Sequence, residues 1–390
     1  MTSTSTAASR KDLGKITHVV ILVQENRSFD NLFATFPGAD GATTGKRHNG
    51  KVISLAAHSL SALDVSHDSK SYATDYDGGA MDGFDLSTFI HTTQKAGTYP
   101  YQYVKPAQIQ PYWTMAAQYA LADQMFQTQG SGSFTAHQDL IAGTTAIDDA
   151  ASLIDTPTAG PWSCDAPPGT KTDLITTDGE FLKGEGPFPC LTYPTGTLRD
   201  LLDAKGVSWK YYAPVYKAGA VGGLWNAFAA IAAVRQGPEW TTNVSIPTTN
   251  IFTDISNKAL PAVSWVIPNQ PNSDHPGDNH GVDDGPSWVA SVVNAVGNSS
   301  YWKSTAVIVV WDDWGGFYDH VPPPFLDDAG GLGFRVPMIV VSPYVPAGTI
   351  SHTQYEFGSI LRFVEETFTL GSLGTTDARA TSIGNVFDFK

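Results

Sequence analysis

No apolar run in this 390-residue sequence approaches the roughly 18 residues that a membrane-crossing helix needs, so none is expected. Basic residues are scarce: 23 Lys and Arg stand against 38 Asp and Glu, for a formal net charge of −15. That balance argues against a nucleic-acid-binding surface and against a polybasic grip on anionic lipid. It leaves anionic substrates open, because a local cation can dominate a cleft inside an acidic protein. Cysteine is nearly absent. Cys164 and Cys190 are the only two, both in a Pro/Gly-rich segment. A disulfide between them is the preferred expectation and implies an oxidising compartment, the periplasm or the outside of the cell; two free thiols are the alternative. The first 15 residues are polar and lack the apolar middle of a signal peptide. The sequence therefore reads as a periplasmic or secreted protein whose leader is absent from it, or as a cytoplasmic one. Internal repeats and low-complexity linkers are also missing. The simplest organisation is a poorly ordered segment 1–15, then one domain over 16–390 with an irregular excursion at about 155–196.

What is present is core-forming material: 42% hydrophobic residues and 11% aromatics, which argues against disorder. His18 to Gln24 carries five consecutive aliphatic residues and reads as a strand covered on both faces. Further strands are expected at Val207–Tyr212, Ala262–Ile267, the run ending at Trp311, and Met338–Ser342. Helices are expected at Tyr112–Phe126, Ser133–Gly143, Leu198–Lys205, Val221–Arg235, Pro286–Val296 and Phe357–Phe368. Residues 37–110 read as long loops with short helices. Strands alternating with helices signal an α/β fold with a mainly parallel sheet.

Chemistry concentrates where apolar strands end. Val307 to Val310 and Trp311 deliver Asp312 and Asp313, then break on Gly315 and Gly316. Open α/β sheets place active sites beyond the carboxyl ends of their strands. Two adjacent carboxylates repel unless a cation lies between them. The first strand ends in Gln24-Glu25-Asn26-Arg27-Ser28-Phe29-Asp30, and Glu25 and Asn26 complete a set of oxygen donors suited to a hard divalent ion. Plainer readings exist: Glu25 and Asn26 as helix caps, Asp312 and Asp313 as a solvated turn. Gly130-Ser131-Gly132-Ser133 is a glycine-rich entry to a helix. It puts Ser133 near a helix N-terminus, either as a simple N-cap or as a nucleophile beside the cation. His67, His275, His280 and His320 are loop histidines that could face phosphate oxygens or protonate a leaving group, although a lone loop histidine is usually incidental.

These blocks, from about residue 16 to 368, resemble the phosphoesterase family that contains bacterial phospholipases C, plant non-specific phospholipases C and a group of acid phosphatases. The most specific are the opening run from Ile16 to Asp30 and Trp311-Asp312-Asp313-Trp314-Gly315-Gly316-Phe317-Tyr318-Asp319-His320-Val321-Pro322. Met81-Asp82-Gly83-Phe84, Phe334-Arg335-Val336-Pro337 and Ser351 to Glu356 add support. The resemblance implies a three-layer α/β/α, alkaline-phosphatase-like core and a phospho-enzyme mechanism. By it, Glu25, Asn26, Asp312, Asp313 and Ser133 hold one or more divalent ions (calcium, magnesium, manganese, zinc or iron). Ser133 is also the nucleophile, and His67 and His275 contact the phosphoryl group. His280 has no secure counterpart but is carried as a substrate-binding candidate. The chain departs from the family at Ala136, where Asn is usual.

The substrate is then a phosphate ester, either a phospholipid diester met at a transient lipid surface or a monoester. Tyr99, Tyr101, Tyr103, Tyr112 and Trp113 offer either an aromatic mouth for a choline head group or ordinary packing between an excursion and the core. Ser133 leans toward the phosphatase branch, and Trp162 to Pro167 toward a less characterised bacterial branch. The alternative class is a non-catalytic phosphate- or phospholipid-binding module.

Overall fold

In the computed structural model, residues 13–216, 221–277, 284–324 and 331–390 are described. An eight-stranded sheet crosses the molecule. In chain order its strands are β1 (His18–Gln24), β2 (Ala120–Ala122), β3 (Trp209–Tyr212), β4 (Val244–Ser245), β5 (Val263–Val266), β6 (Thr305–Trp311), β7 (Met338–Val341) and β8 (Thr349–Ser351). They lie side by side as β4-β3-β5-β1-β6-β7-β2-β8. All neighbours are parallel except β7, which runs against both β6 and β2. Seven strands therefore share one direction. The centre is dry: the aliphatic runs of β1 and β6 are at most 1% exposed, as expected for strands covered on both faces.

A short helix, α1 (Phe29–Phe33), follows β1, and longer helices cover both faces. On one, α2 (Gln110–Gln118) and α5 (Asp284–Gly297) pack together over β6 and β7, with Tyr112 edge-on to Trp311 at 4.9 Å. On the other lie α3 (Ser133–Ala142), α4 (Leu198–Ala204) and α6 (Phe357–Phe368), with Trp265 of β5 donating its indole N–H to the Leu140 carbonyl at 3.2 Å. The α6 stripe of Phe357, Ile360, Leu361 and Val364 follows the 3–4 spacing of an amphipathic helix and is buried throughout. Each such side chain contributes about 1.5–3 kcal/mol on burial.

Two expected helices come out differently. The one placed over Tyr112–Phe126 stops at Gln118, and Ala120–Ala122 becomes a strand between β7 and β8. Three small or apolar residues carry little strand propensity; a vacant sheet position beside Met338 decides their state. The helix over Val221–Arg235 breaks into short turns at Val221–Gly223, Ala227–Ala230 and Ala232–Arg235. Burial of all of Ala227 to Ala230 removes the solvent face that a surface helix needs. The excursion at 155–196 is partly regular, since Ala151–Ile154, Asp173–Thr176 and Phe181–Leu182 form an antiparallel sheet. It is closed by the Cys164–Cys190 disulfide. Residues 1–12 of the N-terminal segment lie outside the described residues; Leu13 is buried, and Lys15 Nζ donates to the Phe389 carbonyl at 2.6 Å.

Candidate active site at the carboxyl ends of β1 and β6

Strand register builds the site. Gln24 pairs with Trp311 in the parallel β1–β6 ladder, so the next residues, Glu25 and Asp312, emerge side by side. Asn26 then turns into the left-handed region at φ 56°, which Asn tolerates better than most residues. Its N–H donates to Asp312 Oδ1 at 2.9 Å. Across the gap Gly315 approaches so closely that a Cβ there would sit 2.1 Å from the Asn26 carbonyl oxygen. The glycine that breaks β6 is therefore required by the close approach of the two strand ends.

Helix α3 supplies the third side. Ser133 is its first residue, behind Gly132, and is 5% exposed. Ser133 Oγ donates to Asp313 Oδ2 at 3.1 Å and accepts from Asn26 Nδ2 at 3.0 Å. Asn26 Nδ2 also donates to Asp313 Oδ2 at 2.6 Å, and Asp313 Oδ1 accepts from the Gly315 N–H at 2.8 Å. One helical turn on, on the same face, His137 Nε2 lies 2.9 Å from Glu25 Oε1 and 3.8 Å from Asp312 Oδ2. Glu25, His137 and Asp312 are all at most 1% exposed.

The structure thus brings together Glu25, Asn26, Ser133, Asp312 and Asp313, and adds His137, to which sequence reasoning assigned no role. The signal was available: Ser133 and His137 are four apart in a helix opening at the site.

Electrostatics single out this cluster. Burial, followed by repulsion from Glu25 and Asp313, pushes the Asp312 carboxyl well above its ordinary range. Burial pushes Glu25 well above its own, with the charge of Asp313 adding to the rise. Burial lowers His137, although Asp312 and Asp313 oppose the shift. Three buried oxygens lack a hydrogen-bond partner: Glu25 Oε2, Asn26 Oδ1 and Asp312 Oδ2. Clustered acids with orphaned oxygens, and a neighbouring imidazole biased to neutrality, are the donor set a divalent cation satisfies. Glu25, His137 and Asp312 offer ligand atoms within 4.8 Å of one another.

His67 borders the helix entry at Gly132, and His275 borders His67. His67 is held through Nδ1 on the Val65 carbonyl at 2.7 Å and lies against Gly132, whose Cβ would meet the His67 carbonyl at 3.3 Å. Burial works against its charge, but Asp313 and Asp64 outweigh it, and His67 is raised to about 9. His275 is held through Nδ1 on the Pro276 carbonyl at 2.5 Å, with its ring 6.0 Å from that of His67. The opening motif also positions this loop. Gln24 Oε1 accepts from the Asp274 N–H at 3.0 Å, and Arg27 Nε donates to the Asp274 carbonyl at 2.8 Å. His280 lies outside the described residues.

Other candidates fall elsewhere. His320 Nδ1 bonds Asp30 Oδ2 at 2.7 Å inside an ion cluster built on Arg335. The aromatic segment is packing. Tyr101 and Tyr112 are buried, Tyr112 donates to Asp274 Oδ2 at 2.8 Å, and Trp113 Nε1 donates to the Leu32 carbonyl at 3.0 Å.

Residues 16–371 match the Phosphoesterase family. The chain belongs to that family. A non-hemolytic phospholipase C of Burkholderia pseudomallei is 25% identical over 425 residues, covering 90% of this phosphoesterase-family chain and 55% of that protein. Phospholipase C B of Mycobacterium tuberculosis is 26% identical over 440 residues, covering 96% and 77%. The chain spans about half the length of the first curated relatives it matches. Among solved structures, a Vibrio parahaemolyticus protein of the alkaline phosphatase superfamily aligns at TM-score 0.42 and 11% identity, over 95% of this chain and 72% of that one. No helix among the described residues is long and apolar enough to cross a membrane.

Proposed function

We propose that this chain is a metal-dependent hydrolase of phosphate esters that works through a phosphoseryl intermediate on Ser133. One observation carries the reading: Ser133 Oγ sits in hydrogen bonds to Asn26 and Asp313 at the mouth of a helix, beside orphaned oxygens of Glu25, Asn26 and Asp312. Glu25, Asn26 and Asp312, with His137 and the Asp313–Ser133 pair alongside, would hold the ion. A bound divalent cation would offset the acidic charge and act as a Lewis acid toward the phosphoryl group. Calcium, magnesium, manganese, zinc and iron all remain candidates.

The chain's own groups account for the rest. Asp313 Oδ2 accepts the Ser133 hydroxyl proton as Oγ attacks phosphorus, and the bond from phosphorus to the departing alcohol oxygen breaks. His67, which Asp313 and Asp64 favour in its charged form, stabilises the equatorial oxygens. His275 protonates the alcohol. Water then attacks the phosphoserine, freeing the phosphate group and restoring the hydroxyl. The free N–H groups of the first turn of α3 favour the anion as it forms. Catalysis of this kind is positioning and electrostatics.

A phospholipid or related diester is the favoured substrate, because both relatives are phospholipases C. The disulfide supports an oxidising compartment, periplasmic or secreted. A panel of p-nitrophenyl phosphate, p-nitrophenylphosphorylcholine and phosphatidylcholine, run across metals, separates monoesterase from diesterase. Ser133→Ala should lower turnover by about a thousandfold, the scale of losing about 4 kcal/mol of transition-state stabilisation, and abolish a phosphoryl adduct seen by mass spectrometry. Full turnover by that variant would sink the scheme. Phosphate binding without turnover in the metal-loaded wild type would instead make the chain a binding module.

A further inference from the structure

Two polar side chains beside this centre have no part in the scheme above. Trp225 and Asn226 are each 1% exposed. The Trp225 indole Nε1, Asn226 Nδ2 and Asn226 Oδ1 all lack a hydrogen-bond partner among the described residues. Orphaned buried groups cost more than an ordinary hydrogen bond returns, so three on successive residues demand a reason.

Their location supplies one. The Trp225 ring lies 5.9 Å from the ring of His275. The main chain of the pair is tied down on both sides. The Tyr211 hydroxyl donates to the Trp225 carbonyl at 2.9 Å and accepts the Ala227 N–H at 3.3 Å. Gln138 Nε2 donates to the Ala227 carbonyl at 3.1 Å, and Gln138 directly follows His137 on α3. Trp225 and Asn226 are therefore pinned between His275 and the helix that carries Ser133 and His137. Backbone bonds hold them, and their own side-chain polar atoms find no partner among the described residues.

We propose that Trp225 and Asn226 form a binding element for the oxygens of the phosphoryl group. Trp225 Nε1 and Asn226 Nδ2 serve as neutral donors to non-bridging oxygens. Asn226 Oδ1 accepts from an oxygen that carries a proton. The inference rests on the phosphoesterase reading and names residues that this reading does not use.

The test is calorimetric binding of inorganic phosphate to the metal-loaded chain, with metal content and thermal midpoint measured on the same samples. Asn226→Ala should weaken phosphate by about tenfold or more, the effect of losing one hydrogen bond to an anion, at unchanged metal content. Asn226→Asp keeps the shape but adds a negative charge and should abolish phosphate binding. Trp225→Phe should weaken it less. If the variants bind phosphate like the wild type while the wild type hydrolyses esters, the inference fails and the phosphoesterase reading stands. A shift in thermal midpoint with unchanged phosphate affinity assigns the atoms to a buried-water site and likewise overturns the inference. A wild type that neither hydrolyses esters nor binds phosphate sinks both.

Discussion

Two clusters in this molecule each join two buried acids to a histidine, and they are built to opposite ends. In one, Glu25, Asp312 and His137 converge without a cationic side chain in hydrogen-bond contact among the described residues, and oxygens of both acids go unpartnered there. In the other, Asp30, Asp319 and His320 converge on Arg335. Arg335 Nε donates to Asp319 Oδ1 at 2.8 Å, Nη2 reaches Asp319 Oδ2 at 3.2 Å, and Nη1 donates to the carbonyls of Asp40 and Asp123. Asp319 Oδ2 also accepts the Asp30 N–H at 3.1 Å. The second cluster carries its own countercharge and joins Asp30 and Asp40 to Asp319, His320 and Arg335. The first has no guanidinium to offset its acids, a deficit that a bound cation would remove. Acid count does not distinguish a metal centre from a structural ion network; the presence of a guanidinium and the satisfaction of each oxygen do.

The largest expected effect tests the first half of that contrast. Asp312→Asn should cost about a thousandfold in kcat/KM, the scale of a lost electrostatic contact, and reduce bound metal. Metal-free stability should stay level or rise, because a repelling buried charge is gone. Metal analysis and chelator-treated melting curves read both. A metal-free variant markedly less stable than metal-free wild type would show the acids to be structural. Arg335→Met tests the second half. It strands Asp30 and Asp319 in the interior and should cost about 3–5 kcal/mol of stability, as for a broken buried ion pair, with kcat of the folded fraction nearly unchanged. Urea unfolding measures the loss, and a selective loss of activity would erase the distinction.

Much of this was legible in the sequence for a physical reason. Continuous aliphatic runs fix buried parallel strands, so β1 and β6 and the acids at their ends could be read directly. Ser133 was legible from the glycines before it. The helix-to-strand change at Ala120–Ala122 was not, because pairing with Met338 decides it. His67 and His320 look alike in sequence, each in a loop after an acid, and only the partner brought by the fold separates them. Arg335 was noted as part of a motif, but its carboxylate partners lie 16 and 305 residues away. The orphan status of Trp225 and Asn226 exists only after the chain has packed.

A smaller effect compares the two histidines. His137 is biased to neutrality by burial and hydrogen-bonds a centre that needs its acids ionised. His137→Gln should weaken metal binding by about 10–100-fold, the usual cost of losing a group that orients or supplements ligands, and activity should return in part at high metal concentration. Metal titrations followed by activity read this; an unchanged metal affinity would make His137 a packing residue.

The smallest effect is the pH dependence of the other histidine. Burial lowers His320, but the hydrogen bond and charge of Asp30, with Asp319, outweigh it and the repulsion of Arg335, leaving the imidazole above its ordinary value. Asp40 adds a further contact at 3.3 Å. A raised folded-state value means that the folded protein holds the proton more tightly. The stabilisation is therefore complete below about pH 6.5 and is lost as pH rises through the folded value. With the His320 side chain 26% exposed, solvent screening limits it to about 1 kcal/mol or less. His320→Gln should thus trail the wild type in urea midpoint at about pH 5.5 and converge with it at about pH 9. A gap that stays constant across that range would mean that His320 acts through packing alone, and that the charge of this cluster rests on Arg335.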